Sequence, residues 1–385
     1  MKLEKKFIEH FGHEHTKEYF APGRINLIGE HIDYSGGLVL PCAITIGTRA
    51  LVSERDDNEL HFYSLNMDNL GVITVSLEGI VYDKKDDWTN YTKGVFSKFQ
   101  EAGYKIPYGL NIAYYGNIPY ASGLSSSASI EMVTGVMLND IFDLNIELLD
   151  IVKMAQKVEN EFIGLSSGIM DQFAIGFGKK DQAILLNTNT LDYEYIPLEL
   201  GDNSIVIMNT NKKRGLADSA YNERKASCDE AYDILSKEYD IKYLCDLNSE
   251  QLETSKDLLT DNEVYLRARH AISENERTLE ASNVLRSGDL EKFGQLMNES
   301  HISLRDDYEV TGIELDLLAE TAWKQPGCLG ARVTGAGFGG CAIAIVENDQ
   351  VDNFIDKVGE AYLQEIGYKA DFYVAQAGDG AKKIG

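Results

Sequence analysis

The spacing of apolar residues along this chain changes several times, and each change marks an element. Residues 38–53 (LVLPCAITIGTRALVS) are rich in β-branched and apolar side chains and predict strand, as do 71–77 (GVITVSL) and 109–115 (GLNIAYY). From Ala128 onward the period switches: Ile130, Val133, Met137 and Ile141 fall on one face of a helix, and 147–162 repeats the pattern with Leu148, Val152, Ala155 and Phe162. Segments 182–197 and 204–209 return to strand. Beyond Ala217 the stretches 217–237, 262–286 and 289–303 combine alternating charge with apolar stripes and predict helices. The sequence then predicts a strand–glycine turn–strand over 331–346, a helix over 353–366 and a last strand over 370–376. Strands and helices mix without regular βαβ alternation, so the pattern predicts an α+β fold with mixed sheets. A boundary within 190–205 divides it into residues 1–195 and 196–385.

Composition narrows the partners. The 385 residues suffice for two or three domains and a sizeable core, and 44% apolar with 25% charged residues is ordinary for a globular protein. A net charge of −26 is not ordinary: it argues against nucleic acid and against anionic membrane surfaces, and suits a small ligand. An anionic ligand would need a local positive field. No targeting segment or long apolar run is visible, and the five cysteines are scattered without metal spacing, which fits a reduced cytoplasmic compartment. The sequence does not fix an oligomeric state, and a monomer is compatible with it.

The strongest chemical signal is GLSSSAS at 123–129, at the edge of an apolar helix. Gly123 permits a tight turn, a following serine can cap the helix, and free N–H groups at a helix start attract anions. A plain serine-capped helix would look the same locally. The Walker lysine is absent, so phosphate charge would have to be met by dipoles, a metal ion or a distant side chain. A serine hydroxyl suits Mg²⁺, which takes few protein oxygens beside phosphate and water. Glu159 lies on the apolar face with Val152, Ala155 and Phe162, where an unpaired carboxylate is costly. It reads either as a second metal oxygen or as a helix-edge glutamate reaching water.

Two further segments stand out. RVTGAGFGGCAIAIV at 332–346 matches G-x-G-x-x-G, but a strand rather than a helix follows, so it reads as a glycine-rich hairpin that lets backbone approach a ligand. APGRINLIGEHIDYSGGLVLP at 21–41 gathers Arg24, Glu30, His31 and Asp33, a donor–acceptor mixture suited to a polyhydroxyl ligand, or else a solvated loop. His10, His13 and His15 fit an exposed N-terminal helix face better than a metal cluster. Lys212, Lys213 and Arg214 read as a solvated basic turn, with local compensation near the phosphates as the other reading.

Together these three segments resemble the GHMP kinase family, and within it the members that phosphorylate galactose. The similarity continues through DDWTNYTKGV (86–95), SGIMDQF (167–173) and ESHISLRDDYEVT (299–311), covering almost the whole chain. The resemblance implies a two-lobed fold with the site between the lobes, and Mg²⁺-ATP-dependent phosphorylation of the anomeric hydroxyl of α-D-galactose. It implies that Glu30, His31, Asp33, Gly168, Asp171 and Tyr221 hold the sugar. Residues Gly123, Leu124, Ser125, Ser126, Ser127, Ala128 and Ser129 would hold the ATP phosphates, Trp88 would lie towards the adenine, and Ser127 and Glu159 would bind Mg²⁺. Arg24 and Asp171 would form the catalytic pair: Asp171 as base or orienting carboxylate, Arg24 as electrostatic stabiliser. Two alternatives are a kinase for a related sugar, such as N-acetylgalactosamine or arabinose, and a sensor that binds galactose and ATP without transfer. Intact Glu30-His31-x-Asp33 favours galactose. Ser127-Ala128, which such sensors lack, favours catalysis.

Overall fold

The computed structural model describes residues 2–119, 123–165, 167–212 and 217–385. Tyr120, Ala121 and Ser122 of the phosphate segment, and Lys213 and Arg214 of the basic run, lie outside the described residues.

Three sheets organise the chain. The first has six strands in the order Lys382–Lys383, Lys17–Asn26, Pro41–Glu54, Leu110–Gly116, Glu59–Ser64, Ile73–Ser76, antiparallel except for the pair Glu59–Ser64 with Leu110–Gly116. Its core packs Tyr19, Val52, Phe62 and Ile112 against Met132, Val133 and Met137 of the helix Ser126–Ile141, and against Phe96 and Phe99 of the helix Thr89–Glu101. The second sheet is antiparallel, in the order Cys328–Thr334, Cys341–Glu347, Asn203–Asn209, Asp371–Ala375. A small third sheet joins Leu38–Val39, Gln182–Asn187 and Tyr193–Pro197. The predicted strand over 38–53 is therefore two strands in different sheets, broken at Leu40.

The period-2 alternation of the second sheet explains how the two halves join. Val206, Met208, Ala342, Ala344 and Val346 point into a core shared with the helices Ala217–Leu235, Asn262–Arg286, Gly312–Ala322 and Val351–Ile366. Ile205, Ile207, Ile343 and Ile345 point the other way, onto Ile25, Leu27, Leu40, Cys42 and Ile44 of the N-terminal half. Each such side chain removed from water contributes roughly 1.5–3 kcal/mol. An apolar seam thus fixes the N-terminal polar cluster against the C-terminal sheet.

Other elements also differ from the sequence expectation. The strand Lys17–Asn26 escapes the apolar pattern because KEYFAPGRIN carries Pro22, Gly23 and Arg24. The helix over 147–162 becomes a helix at Leu148–Lys157 and a π-helical turn at Val158–Ile163. The N-terminal helix ends at Phe11, so only His10 lies on it; the His13 and His15 rings stand edge-on to Phe7. Among the described residues no three His, Cys, Asp or Glu form a metal cluster, and no helix is long and apolar enough to cross a membrane.

Candidate active site

The site is assembled around Arg24. Its strand slips register against Pro41–Glu54 between Pro22 and Arg24, an irregularity of the kind that re-aims a side chain. The buried guanidinium forks onto Asp171, Nε to Oδ1 at 2.8 Å and Nη2 to Oδ2 at 2.9 Å, while Nη1 donates to the Gly123 carbonyl at 2.5 Å. A planar fork fits a carboxylate in this bidentate way, which fixes orientation as well as charge. Asp171 comes from the first turn of the helix Met170–Phe177. One side chain therefore locks a strand, the loop at Gly123 and a helix together.

The serines of the loop are unequal. Ser125 precedes the helix Ser126–Ile141 in the left-handed conformation (φ 62°, ψ 50°), and its hydroxyl makes no capping bond. It donates instead to Asp171 Oδ2, so the expectation of a serine side-chain cap gives way to a direct link with the catalytic candidate. Ser126 is exposed. Ser127 Oγ donates to Glu159 Oε1 at 2.8 Å, and Ser129 Oγ braces the loop helix against the Ala21 carbonyl at 2.9 Å. Leu124 and Ala128 are buried beneath the loop. Glu159 is itself buried and sits on the π-helical turn, a helix irregularity often found at functional positions.

Behind it lies a carboxyl that sequence reasoning missed. Glu131 is fully buried and accepts from Gln172 Nε2 at 3.2 Å; burial, reinforced by Glu159 and Asp171, pushes its carboxyl well above the usual range. The hydroxyl of Ser127 and the carboxylate of Glu159 form a hard-oxygen pair of the type that Mg²⁺ takes beside phosphate and water. The residues present fit that ion.

On the other side of the Arg24–Asp171 pair opens a cavity of about 460 Å³. Its walls include Arg24, Glu30, His31, Asp33, Gly168, Asp171 and Tyr221, all of them singled out in the sequence. Its size is that of a small-molecule site, ~300–1,000 Å³. Asp33 begins a short 3₁₀ turn, and burial pushes its carboxyl up to about 6, with neighbouring Asp171 adding to the rise. A Cβ at Gly168 would lie 2.5 Å from Asp33 Oδ2, so glycine there lets the carboxylate keep its place. Glu30 is held by the glycine-rich turn of 335–340, the third of the three motif segments in chain order and here the third glycine loop: Oε1 accepts from Gly335 N at 2.7 Å and lies 3.5 Å from Arg332 Nη1. Burial raises the Glu30 carboxyl, against the pull of Arg332. That loop turns through Gly337, where φ is +73° and a Cβ would meet the Val310 carbonyl at 2.2 Å.

The helix Asn262–Arg286 supplies a scaffold that the charge pattern concealed. Arg267, His270, Glu274, Thr278 and Ser282 recur at helical spacing, and all are buried. Glu274 Oε1 accepts from Gly29 N at 3.0 Å, His270 Nε2 donates to the Glu30 carbonyl at 3.1 Å, and Asn275 Oδ1 accepts from Leu38 N at 3.0 Å. A polar stripe with helical period, rather than scattered charge, was the available signal. Trp88 does not join the cavity: it precedes the helix Thr89–Glu101, with its ring edge-on to Tyr114 at 5.6 Å.

Comparison with known proteins places the chain in a family. Residues 5–54 match the galactokinase galactose-binding signature, 90–179 the GHMP kinases N terminal domain and 281–364 the GHMP kinases C terminal domain. The chain is 58% identical over 382 residues to a galactokinase of Clostridium perfringens, covering 99% of both, and 55% identical over 384 residues to one of Fusobacterium nucleatum, again covering 99% of both. The crystal structure of Lactococcus lactis galactokinase complexed with galactose superposes with a TM-score of 0.95 at 51% identity, covering 100% of this chain and 99% of that one. Methanococcus jannaschii mevalonate kinase, at 18% identity over 94% of this chain and 98% of that one, shares the fold with a TM-score of 0.70. On the matched signature, the extent of the identity and the superposition, the chain belongs to the galactokinase family of GHMP kinases.

Proposed function

We propose that the protein transfers the γ-phosphoryl group of ATP to the anomeric hydroxyl of α-D-galactose, giving galactose 1-phosphate and ADP. The observation that carries this reading is the bidentate Arg24–Asp171 pair, shared between a polyhydroxyl-suited cavity and the GLSSSAS loop. Glu30, His31, Asp33, Gly168, Asp171 and Tyr221 surround the sugar. The loop 123–129 cradles the phosphates with backbone N–H groups, and Trp88 lies on the adenine side. The two lobes divide near residue 195. The five scattered cysteines, four of them buried, suit a cytoplasmic enzyme.

In this mechanism the anomeric oxygen forms the new bond to γ-phosphorus while the bond from γ-phosphorus to the β,γ-bridging oxygen breaks, its electron pair leaving on ADP. Asp171 accepts or orients the proton of the anomeric hydroxyl. Arg24 keeps Asp171 aligned and places positive charge beside the transferring group. Phosphoryl transfer requires little covalent help, so positioning and charge neutralisation carry most of the catalysis. Ser127 and Glu159 would hold Mg²⁺, which supplies charge neutralisation on the phosphates. The test is ADP release with Mg²⁺-ATP over free hexoses, N-acetylhexosamines and pentoses. Galactose-dependent turnover is expected, and its absence would overturn the reading.

A further inference from the structure

His31 occupies the left-handed region (φ 60°) on the sugar side of the cavity, and both of its ring nitrogens are engaged. Nε2 lies 3.0 Å from the Ala336 carbonyl, and Nδ1 lies 2.9 Å from the Tyr34 hydroxyl. A carbonyl only accepts, so Nε2 carries the proton. Burial pushes the imidazole down to about 4, with Arg224 and Arg332 also opposing its charge, so the ring is neutral near pH 7 and Nδ1 is an acceptor. The single proton of Tyr34 is then committed to His31. Tyr34 lies 2.8 Å from the Tyr308 hydroxyl, so Tyr308 must donate to Tyr34; Cys228 Sγ lies 3.2 Å from the Tyr308 hydroxyl and 4.0 Å from the Arg267 carbonyl, so the thiol donates to the nearer acceptor, Tyr308. Burial raises both phenols and the thiol, and all three keep their protons.

We infer that Cys228, Tyr308 and Tyr34 form a one-way hydrogen-bond chain that fixes His31 as its Nε2–H tautomer. His31 is thereby a positioning residue that ties the sugar loop to the third glycine loop, rather than a ring-nitrogen ligand of the sugar. The inference deepens the galactose-site reading and rests on it for the identity of the cavity's occupant. Glu30 makes the matching tie one residue along, through Gly335 N. Two adjacent residues of the sugar loop thus grip two adjacent residues of the third loop. The chain reaches this point from the helix Ala217–Leu235, which carries Cys228, and from the segment that follows the helix Leu290–Asp306, which carries Tyr308. Neither Cys228 nor Tyr308 lines the cavity.

The test is two-bond ¹H–¹⁵N correlation spectroscopy of the full chain labelled with ¹⁵N-histidine, with His31 assigned by its absence in His31→Gln. A pyridine-type Nδ1 and a pyrrole-type Nε2 are expected, both retained when galactose is added. An Nδ1–H tautomer, or a His31 ring nitrogen that changes type on adding galactose, would overturn the inference. Tyr34→Phe removes the donor to Nδ1. It should shift that signal and raise the KM for galactose about three- to tenfold, with kcat and the KM for ATP nearly unchanged. Cys228→Ser retains a donor and Cys228→Val removes it, so only valine should perturb the His31 signals; equal effects of the two would break the chain at its far end. The tautomer is read without turnover, so failure of the galactose reading shows separately, as lost phosphorylation with the Nε2–H signature intact.

Discussion

The two ends of the site are held in different ways. At the proposed sugar end, the backbone of residues 29–38 is bonded to Glu274, His270 and Asn275 of the helix Asn262–Arg286, and Glu30 and His31 are tied to the third glycine loop. Glu274, His270 and Asn275 lie outside the lining of the cavity and belong to the scaffold. At the proposed phosphate end, the hydroxyls of Ser125 and Ser127 are bonded to Asp171 and Glu159, carboxylates that the proposed mechanism itself uses. The contrast is between preorganisation and self-satisfaction. A cavity braced from outside presents its acceptors at little further ordering cost, whereas a loop whose polar groups pair with one another must exchange partners when nucleotide arrives. Variants at the first end should register in sugar affinity and stability, and variants at the second in turnover and nucleotide use.

Asp171 stands where the two ends meet, and its replacement should have the largest effect. Asp171→Asn removes a proton acceptor and one partner of the Arg24 fork while keeping the shape. A positioned acid or base contributes typically ~10²–10⁴-fold, so kcat should fall by about that range. Galactose binding by calorimetry should weaken only a few-fold, because the scaffold of the sugar loop is untouched. Turnover like that of the unaltered protein would remove Asp171 from the mechanism and dissolve the division at its hinge.

Ser127→Ala and Glu159→Gln probe the phosphate end alone. Each should raise the KM for Mg²⁺-ATP by roughly tenfold, about 1.4 kcal/mol, and leave the KM for galactose within a factor of two. Chelating Mg²⁺ should abolish turnover and leave galactose binding measurable. Galactose affinity falling in step with nucleotide use would show that the two ends are one coupled unit.

How much of this was legible in the sequence depended on what kind of signal each part leaves. The loops were legible, because glycines and clustered charges announce a backbone that must turn tightly and a ligand that must be met. Glu159 was legible as a carboxylate on an apolar face. The strand Lys17–Asn26 was not, because Arg24 needs a register slip beside a proline and a glycine, and those residues erase the strand pattern. The stripe Arg267–His270–Glu274–Thr278–Ser282 was hidden for the opposite reason: buried polar residues at helical spacing look like a solvated face until their partners, Gly29 N and the Glu30 carbonyl, are known. One of the loop serines was expected to cap the helix, but the Ser125 hydroxyl is spent on Asp171, a pairing that spans 46 positions and leaves no local trace.

Asp33 tests preorganisation at the sugar end through pH. Its carboxyl is raised from 3.8 to about 6 by burial, with Asp171 reinforcing the rise and Arg24 opposing it. The folded state therefore holds the proton more tightly than the unfolded chain. The associated stability is fully present below pH 3.8 and is lost as pH rises through about 6. At pH 8 the ionised group is a net cost, so Asp33→Asn should stabilise the protein by about 1–2 kcal/mol in urea unfolding, with little gain at pH 4. The same substitution should raise the KM for galactose about three- to tenfold, since a carboxylate that accepts from hydroxyls is replaced by an amide. It should also flatten an acid limb near pH 6 in kcat/KM for galactose. A variant neither more stable at pH 8 nor weaker for galactose would mean that Asp33 is not held in place at a cost.

Lys212 carries the smallest expected effect. It is the member of the basic run that the structure describes; its Nζ donates to Glu314 at 2.9 Å, and its stem runs beside Gly339 of the third glycine loop. The charge is thus near the glycine loop but paired, half-exposed and screened. Surface pairs of this kind contribute ~0–1 kcal/mol. Lys212→Ala should change the KM for ATP by less than about threefold and its salt dependence hardly at all. A loss of tenfold or more, relieved by Lys212→Arg and steepened at low salt, would instead place a long-range cation at the phosphate end. The missing Walker lysine would then have a partial substitute from the C-terminal half, and the phosphate end would owe part of its field to the scaffold, as the sugar end does.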